Sequence, residues 1–276
     1  MSQLALHAAL ALPFDIGVDG LDWGGILLLL LAAFAAGWVD AVVGGGGLIQ
    51  LPALLLVPGL TPVQALATNK LASVFGTAAS SVSYYRSVRP SLTTALPMAI
   101  VALLAAIGGA SLAAFLPAEV FTPIIMVALI VVALITIFKP ALGAVTKLKY
   151  SGAKHVGLAG IAGAAIGFYD GLIGPGTGTF LVIALVGLLG YDFLMASAQA
   201  KIVNFATNLG ALILFIPLGA VLWPLGLLMA VANVAGSVLG SRMAIARGAK
   251  FVRVLFLIIV GALIVKLGFD VWGGAR

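Results

Sequence analysis

Polar positions are scarce along this chain, and long apolar runs rather than alternating faces define its elements. Runs at 24–43, 61–86, 92–116, 119–138, 155–173, 192–217, 219–240 and 250–269 predict helices matched to a hydrocarbon core about 30 Å thick. Two shorter apolar pieces, 48–57 and 178–190, each follow a glycine-rich break. Helices of that length rise about 15–20 Å, which predicts half-helices in a hairpin or strongly tilted short spans. Trp23, Tyr84, Tyr85, Trp223 and Trp272 fall near predicted helix ends, where aromatic side chains gather at a membrane interface.

The polar positions that do occur form one pattern used twice. In the first copy Asp40 precedes the glycines Gly44 to Gly47, a short apolar run follows, and Lys70, Ser73 and Thr77 lie on the next helix. In the second copy Asp170 precedes Gly174, Gly176 and Gly178, and Lys201, Asn204 and Asn208 lie on the next helix. The aspartates are 130 residues apart and the lysines 131, so one residue has been inserted between them. An internal repeat of this kind points to an architecture of two related halves.

Composition identifies the solvent. The chain is 63% hydrophobic and 8% charged, with a mean hydropathy of +1.27, whereas a soluble domain carries about 25% charged residues. This predicts an all-α polytopic membrane protein. The net charge of +6 does not imply nucleic acid, because no basic run is interleaved with aromatics. Ten of the fourteen basic residues fall in three clusters: Arg86 and Arg89; Lys139, Lys147, Lys149 and Lys154; and Arg242, Arg247, Lys250 and Arg253. Clusters of this kind mark cytoplasmic loops.

An even number of crossings must then separate Lys154 from Arg242, so each half crosses an odd number of times and the halves are inverted. The expected division is 1–138, a first transmembrane repeat; 139–154, a cytoplasmic basic linker; and 155–276, a second repeat. Each repeat has a glycine-broken helix hairpin plus about three to four transmembrane helices. The N-terminus is expected outside a plasma membrane, with Asp15, Asp19, Asp22, Glu119 and Asp270 on the same side. Residues 1–20 lack Lys and Arg, so they do not resemble a signal peptide and are expected to be retained. Cysteine is absent, which excludes disulfides and thiolate metal sites. His7 and His155 have no metal-ligand partners nearby in sequence, and no nucleophile–base set appears. Neither a metal, a cofactor nor an enzyme is expected.

Asp40, Asp170, Lys70 and Lys201 are ionisable residues within apolar segments. Each costs roughly 3 kcal/mol or more at the bilayer centre, and such residues normally face a cavity or a bundle interior. Lys70, Ser73 and Thr77 share one helical face, as do Lys201, Asn204 and Asn208. Ser197 extends the second stripe by a turn. Two matched polar stripes predict the lining of a permeation path; pairing of the lysines with the aspartates, or snorkelling, are the plainer alternatives. Asp40 and Asp170 are candidate proton carriers, or else caps and lysine partners. Amides at the glycine breaks, from Gly45, Gly46, Gly47, Gly176, Thr177 and Gly178, would favour an anion. Tight helix packing is the alternative, and Gly236 and Gly240 are read that way.

These residues also carry a resemblance. Gly37-Trp-Val-Asp40 followed by GGGGLIQLPALLL, and QALATNKLASVFGT from Gln64 to Thr77, resemble the signature of the sulfite exporter TauE/SafE family. GFYDGLIGPGTGTFL from Gly167 to Leu181 and AQAKIVNFATNLGAL from Ala198 to Leu212 are similar to its second motif. The motif regions fall on Asp40, Gly44 to Gly47, Thr68, Asn69 and Lys70, and on Asp170, Gly174 to Gly178, Gln199, Lys201 and Asn204. The resemblance implies a plasma-membrane permease that exports or takes up sulfite, sulfonates or other small sulfur-containing anions. The expected function is therefore a secondary transporter, most simply an exporter, of sulfite, thiosulfate or an organosulfonate. Lys70 and Lys201 would offset the anion's charge, while Asn69, Ser73, Thr77, Asn204 and Asn208 would donate hydrogen bonds. A channel or uniporter with the same lining, or a carrier of another small organic anion, remains the alternative; the oligomeric state is not legible.

Overall fold

A computed structural model describes residue 18 and residues 21–117 and 145–273 of the protein. The expected helix at 119–138, most of segment 1–20 and the start of the basic linker lie outside the described residues. Among those described, the secondary structure is all helical. A first run comprises α1 (Trp23–Val43), α2 (Gly47–Leu55), α3 (Pro62–Val88) and α4 (Leu92–Phe115). A second comprises α5 (Gly152–Leu172), α6 (Thr177–Ala184), α7 (Phe193–Phe215) and α8 (Trp223–Gly273). A π-helical turn, Leu185–Leu189, extends α6. The two helices expected at 219–240 and 250–269 form one run that starts later, at Trp223, and breaks at Gly248, where φ is 72°.

The helix starts follow local chemistry. The Asp22 and Asp192 carboxylates accept the amides of Gly25 at 2.8 Å and Met195 at 2.9 Å. Thr61 and Gln64 form a reciprocal capping box at α3, with Pro62 at its first position, where a missing amide proton costs nothing. Thr61→Ala is expected to lower stability by about 1 kcal/mol, read as a lower unfolding temperature in detergent; an unchanged temperature would show that the cap is unused.

Among the described residues, four helical stretches are long and apolar enough to cross a membrane: Trp23–Val43, Leu92–Phe115, Phe193–Phe215 and Trp223–Gly248. Many of their outward residues, among them Leu27, Leu28, Leu104 and Val231, are exposed leucines and valines suited to acyl chains. Of the aromatics expected at an interface, Trp23, Tyr85 and Trp223 are half exposed. Tyr84 differs: it is fully buried and its hydroxyl donates to the Ala41 carbonyl at 2.9 Å. Being next to Tyr85 gave no warning, because one step along a helix turns the side chain by about 100°.

The packing exchanges partners between the two runs. The first helix of each run packs on the last helix of the other, α1 on α8 and α5 on α4, while α3 and α7 meet between them. Glycine makes these crossings close. A Cβ added to Gly37 would lie 2.1 Å from the Asn233 carbonyl oxygen, and one added to Gly236 would lie 2.0 Å from that of Phe34. On the other side Gly171 meets the Ala106 carbonyl oxygen in the same way, at 2.0 Å. Without a hydrophobic drive between helices in lipid, such close approach and the dispersion it brings supply the cohesion.

The described part of the linker is anchored rather than loose. The Lys147 amide donates to the Gly190 carbonyl at 2.7 Å, the Lys149 amide to that of Leu189 at 3.1 Å, and the Lys149 ammonium to that of Gly187. His155, Thr94 and Tyr191 form a buried hydrogen-bonded cluster beside it, with contacts of 3.0–3.1 Å.

Candidate functional site

The chain breaks at Gly44, where φ is 87°, and again at Gly174 and Gly176, where φ is 91° and 80°. These left-handed conformations suit glycine, and they end α1 and α5 in the interior. The two breaks touch backbone to backbone. The Thr179 amide donates to the Gly44 carbonyl at 3.0 Å, and a Cβ on Gly178 would fall 2.5 Å from the Gly44 Cα. The short helices α2 and α6 start from this meeting point. At about 1.5 Å per residue, neither is long enough to span a bilayer alone.

Around it lies a small polar cavity. Asp40, Gly44 and Gly47 line it from α1 and the first break, and Asn69, Lys70 and Ser73 line it from α3. Asp170, Gly174, Gly176, Thr177 and Gly178 line it from α5 and the second break, and Asn204 and Asn208 from α7. Most of the sequence-predicted set is therefore brought together, but Lys201 is fully buried behind the lining, against Asp40. Thr77 is not among the lining residues: its hydroxyl lies 2.8 Å from the Ser73 carbonyl oxygen and 3.1 Å from that of Val74. Gly45 and Gly46 also stand back. Gly46 is pressed against α1, where a Cβ would sit 2.5 Å from the Ala36 carbonyl oxygen. Ser197 turns to the Val42 carbonyl.

Both lysines are paired across the two runs. Lys70 Nζ lies 2.6 Å from Asp170 Oδ2, and Lys201 Nζ lies 2.8 Å from Asp40 Oδ2. Lys201 also donates to the Asp40 backbone carbonyl. Asp40 and Asp170 sit in the last turns of α1 and α5, where the helix dipole disfavours negative charge. The lysine from the other run offsets it. By contrast, the first residues of α2 and α6 face the cavity with the positive ends of their dipoles. Among the described residues, no backbone hydrogen bond uses the amides of Gly47, Gly176 or Gly178. The Asn69 Oδ1 is buried without a hydrogen-bond partner.

Sequence reasoning missed a second buried network beside the cavity. The Asn233 side-chain amide donates to Gln50 Oε1 at 2.8 Å, and the Gln50 amide reaches the Asn69 carbonyl at 3.5 Å. The Ser237 hydroxyl donates to the Gly37 carbonyl at 3.2 Å. The available signal was the appearance of Gln50 and Asn233 inside otherwise apolar helices. Gly44 and Gly174, at the edges of the expected amide set, also belong to the lining.

Membrane-spanning helices, interrupted ones between them and a polar cavity enclosed by both runs define a membrane transporter rather than an enzyme. The sulfite exporter TauE/SafE family matches residues 29–267, and the chain belongs to that family. It is 40% identical over 245 residues to "Probable membrane transporter protein ORF9" of Sinorhizobium sp, covering 89% of this chain and 93% of that protein. It is 34% identical over 248 residues to "Probable membrane transporter protein YfcA" of Escherichia coli K12, covering 89% and 90%. A "Probable membrane transporter protein" of Haemophilus influenzae is 32% identical over 256 residues, covering 93% and 97%. No solved structure matches the chain.

Proposed function

We propose that this transporter carries a small sulfur-containing anion, such as sulfite, thiosulfate or an organosulfonate, by alternating access of two inverted halves. The cavity shared by the two glycine breaks is the observation that supports this most directly. Its lining is polar and drawn from both breaks, and the space it leaves is small, which favours an anion of few atoms. The positive ends of α2 and α6 and their free glycine amides suit an oxyanion head. Asn69, Ser73, Asn204 and Asn208 supply further hydrogen bonds. The exchange of partners, Lys70 with Asp170 and Lys201 with Asp40, is what a two-fold relation between the halves would generate. The direction of export is carried by the family's description.

The test is flux into proteoliposomes holding the full-length protein, with sulfite, thiosulfate, methanesulfonate, formate and acetate as probes. Sulfur oxyanions are expected to enter faster than the carboxylates and to be accelerated by unlabelled anion on the far side. Flux without that trans-acceleration would identify a channel. Equal flux of carboxylates would remove the sulfur-anion assignment.

A further inference from the structure

The two ion pairs are alike in chemistry but unequal in engagement. Asp170 uses both oxygens: Oδ2 meets Lys70 at 2.6 Å and Oδ1 meets the Thr177 hydroxyl at 2.5 Å. Its side chain is 2% exposed. Asp40 has no such hydroxyl, because the residue seven positions after it is Gly47 where the second copy has Thr177. Its Oδ2 takes Lys201 at 2.8 Å, its Oδ1 has no hydrogen-bond partner among the described residues, and its side chain is 13% exposed. Lys201 remains tied to the Asp40 backbone carbonyl whatever the carboxylate does.

Charge then limits what can enter. Lys70, Asp40 and Asp170 line the cavity, and Lys201, paired with Asp40 behind the lining, brings the formal charge of the site to zero. A bare anion would bring one uncompensated negative charge into the interior of the bundle, where charge is poorly solvated. A proton taken from the same solution cancels it. Both carboxylates line the cavity, but Asp170 is buried between the Lys70 ammonium, a charge contact without hydrogen-bond geometry, and the Thr177 hydroxyl, whereas Asp40 is the more exposed and has the Lys201 contact on one oxygen alone. The charged and titratable groups near Asp40 are Lys201 from α7, Lys70 and Tyr84 from α3, and Asp170 across the cavity. From α8, Asn233 and Ser237 pack on this part of α1 and do not titrate, and α2 and α6 bring glycine and threonine.

We infer that Asp40, and not Asp170, takes up one proton with each monovalent anion, so that anion and proton travel together. The inference rests on the anion-transport reading above. On protonation the Asp40 carboxyl gives up its ion pair with Lys201, which keeps the backbone carbonyl, and the positive charge left beside the cavity balances the anion. Asp170 stays ionised, fixed between Lys70 and Thr177. Released on the far side, the anion returns Lys201 to Asp40 and the proton leaves to water. Uptake is favoured where the outside is the more acid; net export requires an outward anion gradient larger than the opposing pH gradient.

Methanesulfonate is the probe, because it carries no titratable proton of its own near neutral pH. Calorimetry on the full-length protein in two buffers of different ionisation heat should show about one proton absorbed per anion bound, with affinity rising about tenfold per pH unit of acidification. Asp40→Asn should bind without proton uptake. Binding by the wild type with no uptake, or uptake retained by Asp40→Asn, overturns the assignment while leaving anion transport standing. If no sulfur anion binds or crosses, the transport reading fails first. A second measurement needs no variant: in proteoliposomes methanesulfonate entry should be unaffected by an imposed potential and should acidify the lumen. Potential-driven entry without acidification overturns the proposal.

Discussion

Replacing Lys70 by methionine is expected to destabilise the protein by about 3–5 kcal/mol and to abolish anion flux. Lys70 and Asp170 are each 2% exposed and lie 2.6 Å apart, so removing the ammonium leaves a buried carboxylate facing only the Thr177 hydroxyl. Asp170→Asn alone should harm stability by a similar mechanism, with Lys70 the stranded charge. The double variant Lys70→Met, Asp170→Asn removes both charges and keeps an acceptor for Thr177. It should recover most of the lost stability, since a buried pair is often no better than neutral groups of similar volume. Thermal unfolding in detergent reads the first effect and flux into proteoliposomes the second. The comparison separates two roles for the bridge. A stable double variant without flux makes Lys70 part of the anion path. A stable double variant with wild-type flux makes the bridge scaffolding alone.

Much of this site was legible from spacing. Lys70 and Ser73 on one stripe and Asn204 and Asn208 on the other line the cavity because residues three, four and seven apart share a helix face, while Lys201 on the same stripe is drawn behind the lining by Asp40; the breaks were announced by Gly44–Gly47 and by Gly174–Gly178. The ends of α2, and of α6 together with the π-helical turn that extends it, came within a residue or two of the apolar runs that follow those glycines. Thr77 obeyed the same spacing and yet turned to its own helix, because a hydroxyl can bond a carbonyl three or four residues back. A face pattern carries no information about that choice. Gly45 and Gly46 do not line the cavity because the turn at Gly44 sends them toward α1, and Gly44 itself is held by tertiary contact with Gly178. Which aspartate each lysine would meet was equally hidden. The pairs join residues 100 and 161 positions apart, and only the crossing of the two runs brings them together.

Gly178→Ala is expected to destabilise the protein by about 1–3 kcal/mol or more, and Gly44→Ala by a further 1–2 kcal/mol. In both, the added methyl meets backbone rather than a side chain that could rotate away. At Gly178 it would fall 2.5 Å from the Gly44 Cα, and at Gly44 it would fall 2.1 Å from the Gly178 carbonyl carbon. The φ of 87° at Gly44 adds conformational strain. Gly178 lies in α6 without a positive φ, so alanine there should gain helix propensity by about 1 kcal/mol; a net loss would therefore be due to crowding alone. Gly59→Ala and Gly219→Ala supply the complementary control. Both have positive φ, 80° and 67°, with open space around them, so they should lose only the conformational cost. If Gly178→Ala unfolds at the wild-type temperature, the two breaks do not touch and the cavity between them is not shared. If it unfolds early while Gly59→Ala does not, the Gly44–Gly178 contact holds the two runs together at the point where an anion would pass.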